Sequence, residues 1–498
     1  MICKLFDRLY QKYPITSYSG TLPIMTLSEE RDFVFAKKPL LGKLYHAYKK
    51  RFWPEYLHEV AQILPKKWRM EYDVRFDELA QVCKKISIPL FGVALTHKII
   101  TSLKSKRFVS TSDHHGVLCH PFFLNFNLLR ATSLSDEPVI SFTCGGTSFS
   151  NSSYPRGIFF HDTSLNQIKA PFIPWKYRQT SAYGHPALKP RDFEDLKRRA
   201  EAMNLPEKQR TKISHLYDLY QRDIRIRKSQ LFSEQSSVMT RLLWKGAGME
   251  EDVIYLECES IVRMLLLDVH LSRDSVIHRL LFDEAYRTGY LKHFLGVIGA
   301  HRTNGGTELF WYRDLKQRRK VRLTVTVSSE QAVLRSEDGM VMIPLTPKSI
   351  RTHLSEHALL PCLALCYSIV SFYYGITLGG GFSQIQYLGD MKNAWTGLLS
   401  DVHDPESEVG DAISTDIFTG DFVIAGISDG MDTKPATLMD IYLWGDGSTQ
   451  DHIKRLFNEM PIGDTLDIMI PQLCHTLAPS SGPPSKTKNF PATLHVHT

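Results

Sequence analysis

The sequence has few cysteines for its length, and they do not form metal or redox motifs. Eight cysteines are scattered over 498 residues, and no two of them have the CxxC spacing that would indicate a zinc ribbon or a redox centre. A chain this long can bury a large apolar core and does not need disulfide bonds to hold it together. We therefore interpret the cysteines as free thiols in a reducing compartment, which predicts a cytoplasmic protein.

Long uncharged apolar runs are also scarce. The first residues, MICKLFDRLYQKYP, mix charged and apolar side chains and do not resemble a secretory signal peptide. Residues 358–381 contain no charged residue and approach the length of a membrane span. Pro361, Gly375 and a glycine triplet interrupt this stretch, so we expect a buried helix and strand and no membrane partner.

A strong charge of one sign is absent as well. Lys and Arg number 60 against 53 Asp and Glu, which gives a formal net charge of +7. Over this length that bias suits a small anionic substrate as well as a polyanion, so it does not predict nucleic-acid binding. We expect a small-molecule substrate and no nucleic-acid partner.

No internal repeat divides the chain, but changes in apolar periodicity predict six segments. They are N-terminal helices with the first part of the core (1–189), a helical arm (190–237), a helical segment (238–306), a β-meander (307–346), the second part of the core (347–478) and a disordered tail (479–498).

The first part of the core has the alternation typical of a parallel α/β sheet. Residues 86–95, 107–111 and 137–146 each predict a strand, and helical patterns separate them. The arm at 190–237 is densely charged with apolar residues at helical spacing. We expect it to project as a helical hairpin or coiled-coil-like arm, which makes it a candidate homodimer contact.

The densest set of chemically capable side chains lies in residues 107–131, RFVSTSDHHGVLCHPFFLNFNLLRA. This stretch reads as a strand, a turn and a helix that begins near Pro121. The loop at the carboxyl end of a parallel strand is where ligands bind in open α/β sheets. The turn carries Asp113, His114, His115, Gly116, Cys119 and His120.

Several chemistries suit this turn. Asp113, His114 and His115 could exchange protons with a substrate held at the helix N-terminus. Asp113, His115 and His120 could instead bind a divalent metal, although their spacing matches no standard zinc pattern. Cys119 could be a nucleophile with one of the histidines as its base. The structural alternative is that Asp113 caps the helix and a histidine bonds inside the core.

A glycine triplet between an apolar strand and a helix is the second candidate site. Gly379, Gly380 and Gly381 would let a ligand approach the backbone. The triplet is neither a P-loop nor a dinucleotide fingerprint, and a tight structural turn is the alternative. Residues 144–148 (CGGTS) and 301–306 (HRTNGG) are further candidate anion-binding turns.

The letters DHHG followed later by GGG resemble the DHH phosphoesterases. That family has an earlier Asp-rich metal motif, which residues 1–112 lack, and a His after the glycines where this chain has Phe382. A metal-dependent hydrolase or phosphoesterase that uses Asp113, His114 and His115 is therefore kept as an alternative.

A second resemblance extends over most of the chain, to the cysteine-adding enzymes of bacillithiol biosynthesis. Their turn T-G-Q-Q-x-G-L-L-x-G-P resembles residues 111–121, with Gly116, Leu118 and Pro121 in step. Their later segment L-L-P-T-x-A-Y-x-G-G-P-x-E-I-A-Y resembles residues 359–388. There the matching positions are Pro361, Gly379, Gly380, Ile385 and Tyr387.

The chain departs from that family at three places. His114 and His115 replace its paired Gln, TCGGT at 143–147 replaces its acidic S-E-D-H-D motif, and Ser383 or Gln384 replaces its Glu. The resemblance thus implies a Rossmann-like core with a helical arm.

The resemblance also suggests a ligase-like biosynthetic enzyme. Such an enzyme would join an amino acid or other small amine or thiol to a carbonyl or acyl acceptor, and the glycine triplet would hold an anionic part of the substrate. The cofactor stays open between a nucleotide and, for the hydrolase, a divalent metal. A catalytically degenerate scaffold is the non-enzyme alternative.

Overall fold

The computed structural model describes residues 25–66, 69–118, 120–133, 137–151, 156–300, 306–328, 331–420, 422–431, 433–477 and 492–495. The first half of the chain alternates helices with short strands. In order these are α1 (Leu27–Lys37), α2 (Pro39–Tyr48), α3 (Trp53–Lys66), α4 (Met70–Phe91), α5 (Val93–Lys106), β1 (Phe108–Ser110), α6 (Pro121–Ser133), β2 (Val139–Thr143), β3 (Gly157–His161), β4 (Gln167–Pro171), α7 (Pro190–Glu201), α8 (Glu207–Arg222), α9 (Ile224–Lys228) and α10 (Phe232–Gly246).

The second half has more strands, and π-helical turns follow two of its helices. Its elements are β5 (Val253–Glu257), α11 (Cys258–Leu265) with a π-turn (Leu266–His270), α12 (Val276–Phe282), α13 (Glu284–His293), β6 (Phe310–Asp314), β7 (Arg319–Ser328), β8 (Gln331–Ser336), β9 (Met342–Pro344), α14 (Pro347–Ser355), β10 (Leu359–Pro361), α15 (Leu363–Tyr367) with a π-turn (Ser368–Tyr373), β11 (Thr377–Gly379), α16 (Gln384–Asp401), α17 (Glu406–Asp411), β12 (Ala425–Ser428), β13 (Thr433–Pro435), α18 (Leu438–Trp444), α19 (Thr449–Glu459), α20 (Ile462–Asp467), α21 (Ile470–Leu477) and β14 (Ala492–His495).

A four-stranded parallel sheet in the order β11-β1-β2-β5 lies at the centre of the fold. Every residue of these strands is buried, as expected for parallel strands covered on both faces. The chain proceeds from β1 to β2 on one side, whereas β11 pairs with β1 on the other. The predicted α/β class and parallel sheet are therefore confirmed, and a topological switch point lies between β1 and β11.

The prediction of a strand at residues 86–95 is wrong, because these residues end α4 and begin α5. Cys83, Ser87, Leu90 and Phe91 are buried at helical spacing. A short apolar run that contains proline and glycine does not by itself distinguish a buried strand from one face of a helix.

Two further segments contain an element of the opposite type from the one expected. Residues 238–306 were expected to be helical, yet β5 (VIYLE) lies within them and forms an edge of the central sheet. The apolar run TLMDIYLWGDG at 437–447 also suggests an edge strand from its sequence, yet it contains α18, which begins with a capping box formed by Thr437 and Asp440. That box satisfies the first backbone N–H groups and favours the helix.

The charged arm is helical, but one face of it is buried against the body of the protein. Ile213, Leu216 and Tyr217 of α8 are at most 1% exposed, and the Lys212 ammonium donates to the carbonyls of Tyr442 and Leu443 at 3.0 and 2.9 Å. The arm was expected to project, yet the apolar stripe of α8 is buried. Residues 232–237 begin the buried α10 and do not belong to the arm.

The β-meander is confirmed and is larger than expected. Strands β6 to β9 form an antiparallel sheet, to which β10 adds a fifth strand in the order β10-β6-β7-β8-β9. A hairpin of β3 and β4 and a three-stranded sheet, β13-β12-β14, complete the strands. Within the predicted disordered tail, Ala492–His495 pairs in parallel with β12, and residues 478–491 and 496–498 lie outside the described residues.

The uncharged stretch at 358–381 is a buried strand–helix–strand segment, as predicted. Residues 364–381 are all buried, and β10 and β11 place the two ends of the segment in different sheets. Among the helices that the structure describes, none is both long enough and apolar enough to cross a membrane.

Candidate functional site at the carboxyl edge of the parallel sheet

The two main candidate sites of the sequence, the Asp113–Pro121 turn and the glycine triplet, lie side by side. The Thr111 N–H donates to the Gly379 carbonyl at 2.9 Å, and the Gln384 side-chain amide donates to the Thr111 hydroxyl. A Cβ placed on Gly420 would lie 2.8 Å from Ser112 Oγ and 3.5 Å from Gly381 Cα. The turn after β1 and the glycine triplet after β11 therefore meet at the switch point of the sheet.

An extra residue distorts the pairing just beyond β1. Ser110 pairs with Ser141, and His114 pairs with Cys144. Between these two pairs the chain advances by four residues after β1 but by only three along β2. A bulge of this kind redirects side chains and is common beside functional sites. Beyond this bulge Asp113 is buried and bonded to Asn127 of α6, while His114 is half-buried.

Asp113 is completely buried. One of its carboxyl oxygens accepts a hydrogen bond from Asn127 at 3.0 Å, and the other, Oδ1, has no partner among the residues that the structure describes. Burial raises the pKa of Asp113 to about 7, against the lowering effect of hydrogen bonds from Tyr255, Asn127 and Ser141. This carboxyl can therefore hold or release a proton near neutral pH, and its hydrogen bond from Asn127 comes from the interior of α6 and not from a backbone N–H at the helix N-terminus.

His115 has both ring nitrogens engaged inside the protein. Nδ1 bonds the Thr143 hydroxyl, and Nε2 lies 2.8 Å from the Ser233 carbonyl. The residue is 2% exposed, and burial lowers its pKa to about 4. Neither nitrogen is available to a substrate in this arrangement. These contacts match the structural alternative, in which a histidine of the turn forms hydrogen bonds inside the core.

The other two histidines of the turn have aromatic neighbours. The His114 ring packs edge-on against Phe123 at 5.4 Å, and its Nδ1 has no partner within the described chain. The His120 ring lies among Phe122, Phe123 and Phe159. Burial lowers the pKa of His114 to about 4 and that of His120 to about 3, so both rings are neutral at pH 7.

The predicted metal ligands do not converge. Asp113, His115 and His120 each have separate neighbours, and no three His, Cys, Asp or Glu side chains within the described residues form a group that could hold a metal ion. Two other candidates lie outside the described residues. They are Cys119, the predicted nucleophile, and residues 301–305 of the predicted anion-binding turn HRTNGG.

The turn after β2 holds a carboxylate. The N–H groups of Gly145 and Gly146 donate to the two carboxylate oxygens of Glu259 at 2.7 and 2.8 Å. Successive N–H groups that point to one centre form an anion-binding nest. The anion in this predicted anion-binding turn is thus the Glu259 side chain of the same protein. Glu259 lies in the first turn of α11, directly after β5.

A lysine from the meander reaches the same turn. Lys320 on β7 donates to the Gly146 carbonyl at 2.5 Å and lies over the Trp311 ring at 5.0 Å. Burial lowers the pKa of Lys320 to about 8, and the charge of Glu259 opposes this shift. The sheet of the meander therefore covers the carboxyl edge of the central sheet and adds an amine to it.

A second glutamate and a thiol complete the cluster. Glu257 is 3% exposed, and burial raises its pKa to about 8, with a further contribution from the charge of Glu259. The sulfur of Cys144 lies 3.5 Å from the Tyr367 hydroxyl, and burial raises the pKa of its thiol. Near neutral pH the cluster therefore contains a protonated acid, a thiol and an amine that can lose its proton.

Sequence reasoning missed Glu257, Glu259 and Lys320. The two glutamates directly follow VIYL, so a strand assignment there would have placed them at the carboxyl edge. Lys320 lies in the basic run QRRK, and no local signal distinguishes it from its exposed neighbours.

The predicted substrate-binding residues have backbone roles in this arrangement. The Gly116 carbonyl accepts from Thr240 at 3.1 Å, and the Pro121 carbonyl accepts from Asn125 at 2.5 Å. Gly380 pairs with Phe418, so residues 417–419 extend the sheet beyond β11. Gly381 precedes the 18-residue helix α16, whose N-terminus favours a negative charge.

Two cavities of about 450 Å³ lie away from this edge. The first is lined by residues that include Arg75, Arg273, Tyr373 and Glu406, near the amino end of β11. The second is a groove between α4 and α5. Neither cavity is lined by a residue of the predicted site. The candidate site at the carboxyl edge is therefore identified by its side chains and not by the size of a cavity.

Comparison of the chain with protein-family models, curated proteins and solved structures finds no match.

Proposed function

We propose that the chain is an enzyme that joins a small amine or thiol, such as an amino acid, to a carbonyl or acyl acceptor at the carboxyl edge of its parallel sheet. The observation that carries this proposal is the convergence of Cys144, Glu257, Glu259 and Lys320 around the Gly145–Gly146 turn. Titratable groups with shifted pKa values that gather at a ligand-binding edge are typical of catalytic sites.

Proton transfer in this reaction would use groups that titrate near neutral pH. Burial brings the pKa of Asp113 to about 7 and that of Glu257 to about 8, a range suited to general acids and bases. His114 titrates below this range, since burial lowers its pKa to about 4, but its neutral ring remains a candidate ligand group because Nδ1 has no partner among the described residues. The triplet ending at Gly381 would hold an anionic part of the substrate at the N-terminus of α16.

Several finer proposals accompany this function. The core would be Rossmann-like and related to the cysteine-adding enzymes of bacillithiol biosynthesis, with Gly116, Pro121, Gly379 and Gly380 at the family's positions. The protein would be cytoplasmic and would use a small-molecule substrate, with no nucleic-acid or membrane partner. A nucleotide is the proposed cofactor class, and the outer face of the arm at 190–228 is the proposed homodimer contact.

The alternatives have less support. The metal-dependent hydrolase needs Asp113, His115 and His120 to share a centre, and they do not converge in the described residues. The scaffold alternative would explain why Glu259 occupies the nest after β2. It does not explain why an amine with a lowered pKa lies beside it.

Ligand retention tests the proposal. Purified full-length protein would be incubated with a metabolite extract, separated from unbound compounds, denatured, and its released ligands identified by mass. We expect a compound with a carbonyl, acyl, amine or thiol group to be retained by the wild type and by Lys316→Met, and to be lost from Lys320→Met. Lys316 is the matched control, since it is an exposed lysine of the same hairpin.

Two results would count against the enzyme. Folded wild type that retains nothing would favour the scaffold. Equal retention by Lys320→Met and wild type would place the ligand away from the proposed cluster.

A further inference from the structure

The Lys320 amine has an environment that a purely structural lysine does not need. Its Nζ makes one hydrogen bond, to the Gly146 carbonyl, and in the described part of the chain no carboxylate oxygen lies within 4.0 Å of it. A half-buried ammonium without a close carboxylate is costly. The costs fall if the amine is neutral, and a neutral amine has a lone pair that can attack carbon.

We propose that Lys320 captures the carbonyl substrate as an imine beside the Gly145–Gly146 turn, with Glu259, which is bound by the same turn, as the group for proton transfer. This inference rests on the proposed function and names its acceptor as an aldehyde or ketone. Three observations locate the reaction. They are the position of Lys320 at the carboxyl edge of the sheet, the fixed Glu259 carboxylate at 2.7 and 2.8 Å from two backbone N–H groups, and the apolar Trp311 ring at 5.0 Å.

The proton equilibrium of the amine supports this step. With a pKa of about 8, roughly a quarter of the amine is neutral at pH 7.5, compared with roughly one part in a thousand for an ordinary lysine. Glu259 is 3% exposed, and burial raises the pKa of its carboxyl. The Lys320 amine can therefore lose its proton in the neutral range, and burial favours the return of a proton to Glu259.

The chemistry balances without an oxidant or reductant. The lone pair of the amine forms a C–N bond to the carbonyl carbon, and the carbonyl oxygen takes up a proton. A second proton then reaches the oxygen, both having come from the amine nitrogen by way of Glu259; the C–O bond breaks, the oxygen leaves as water, and a neutral imine remains on Lys320. When the amine of the second substrate attacks this imine, a new C–N bond forms and Lys320 leaves as the free amine.

Reductive trapping tests the inference on the full-length protein. Pyruvate and sodium cyanoborohydride would be added to the folded protein, and modified lysines located by peptide mass mapping. We expect an adduct at Lys320 at least tenfold above that at the exposed Lys316, with half-maximal labelling near pH 8. Lys320→Arg keeps the charge and a donor for the Gly146 carbonyl but cannot form an imine, so it should fold normally and lose the adduct.

Equal labelling of Lys316 and Lys320, or no adduct at Lys320 in folded protein, would overturn the inference. Its failure is distinguishable from failure of the proposed function. A retained carbonyl or amine ligand without an adduct would remove the imine and keep the joining reaction. An adduct at Lys320 in a protein that retains no ligand would keep the imine-forming site and remove the joining reaction.

Discussion

At the scale of single residues, the His115 ring connects three separate parts of the fold. It lies in the turn after β1 and bonds Thr143 at the end of β2 and the Ser233 carbonyl in α10. Burial lowers its pKa to about 4, so the ring is neutral and donates one N–H at pH 7. The sequence placed His115 in the correct turn. It could not show the direction of the ring, because Ser233 is 118 positions away.

Replacement of His115 should therefore affect stability first. His115→Gln cannot reach both partners, and we expect the free energy of unfolding in urea to fall by about 1–3 kcal/mol, the cost of buried groups left without hydrogen bonds. His114→Gln is the control and should change it by less than about 1 kcal/mol, because His114 is half-buried and its Nδ1 has no described partner. Unchanged stability with lost ligand binding in His115→Gln would restore its predicted catalytic role.

Asp113 should make stability depend on pH in a defined direction. Its pKa is about 7 in the folded protein and about 3.9 when unfolded. A pKa raised by folding gives stability that is present below about pH 4 and is lost as the pH rises through about 7. Asp113→Asn removes this loss, because an amide does not ionise.

Between pH 5 and pH 8 we therefore expect the wild type to lose about 1–3 kcal/mol more of its free energy of unfolding than Asp113→Asn loses. Urea unfolding at both pH values measures this difference. Glu337→Gln, at an exposed turn, is the control and should show no such change. A parallel pH dependence in wild type and Asp113→Asn would mean that this carboxyl is ionised in the fold.

At the scale of elements, the described part of the arm behaves as a packed hairpin. Leu216 and Leu219 lie one turn apart on α8, yet Leu216 is 1% exposed and Leu219 is 37% exposed. We expect Leu216→Ala to lower the free energy of unfolding by about 2–5 kcal/mol, through lost burial and a cavity, and Leu219→Ala to lower it by less than about 1 kcal/mol. Equal effects in thermal or urea unfolding would mean that the hairpin does not pack on the body as described.

The same scale shows why some elements could be predicted and others could not. β1, α6 and β2 follow one another as a strand, a helix that begins at Pro121 and a strand, and the local pattern was sufficient to predict them. Residues 86–95 and β5 are both short apolar runs, and their assignment depends on which neighbours cover them. Residues 86–95 are helical and bury one face of the helix, whereas β5 pairs with β2. Neither contact can be deduced from the short run alone.

At the scale of the whole molecule, the candidate site depends on contacts between distant segments. The hydrogen bond between Thr111 and Gly379 joins two turns that strand-to-turn patterns had each indicated as candidate sites. The approach of Lys320 to Gly146 spans 174 positions and two sheets. Local sequence could therefore predict the edge at which the site lies, but not the glutamates and lysine that complete it.

The central claim is that ligand binds at this edge, and hydrogen–deuterium exchange with the retained ligand tests it most directly. Backbone amides would be followed by mass spectrometry with and without the released compound. We predict slower exchange in residues 111–118, 143–148 and 379–384, because a ligand bound between these turns would suppress the local opening through which their hydrogen-bonded amides exchange. Unchanged exchange in these segments, with protection confined to the cavity lined by Arg75, Arg273 and Glu406, would contradict the account.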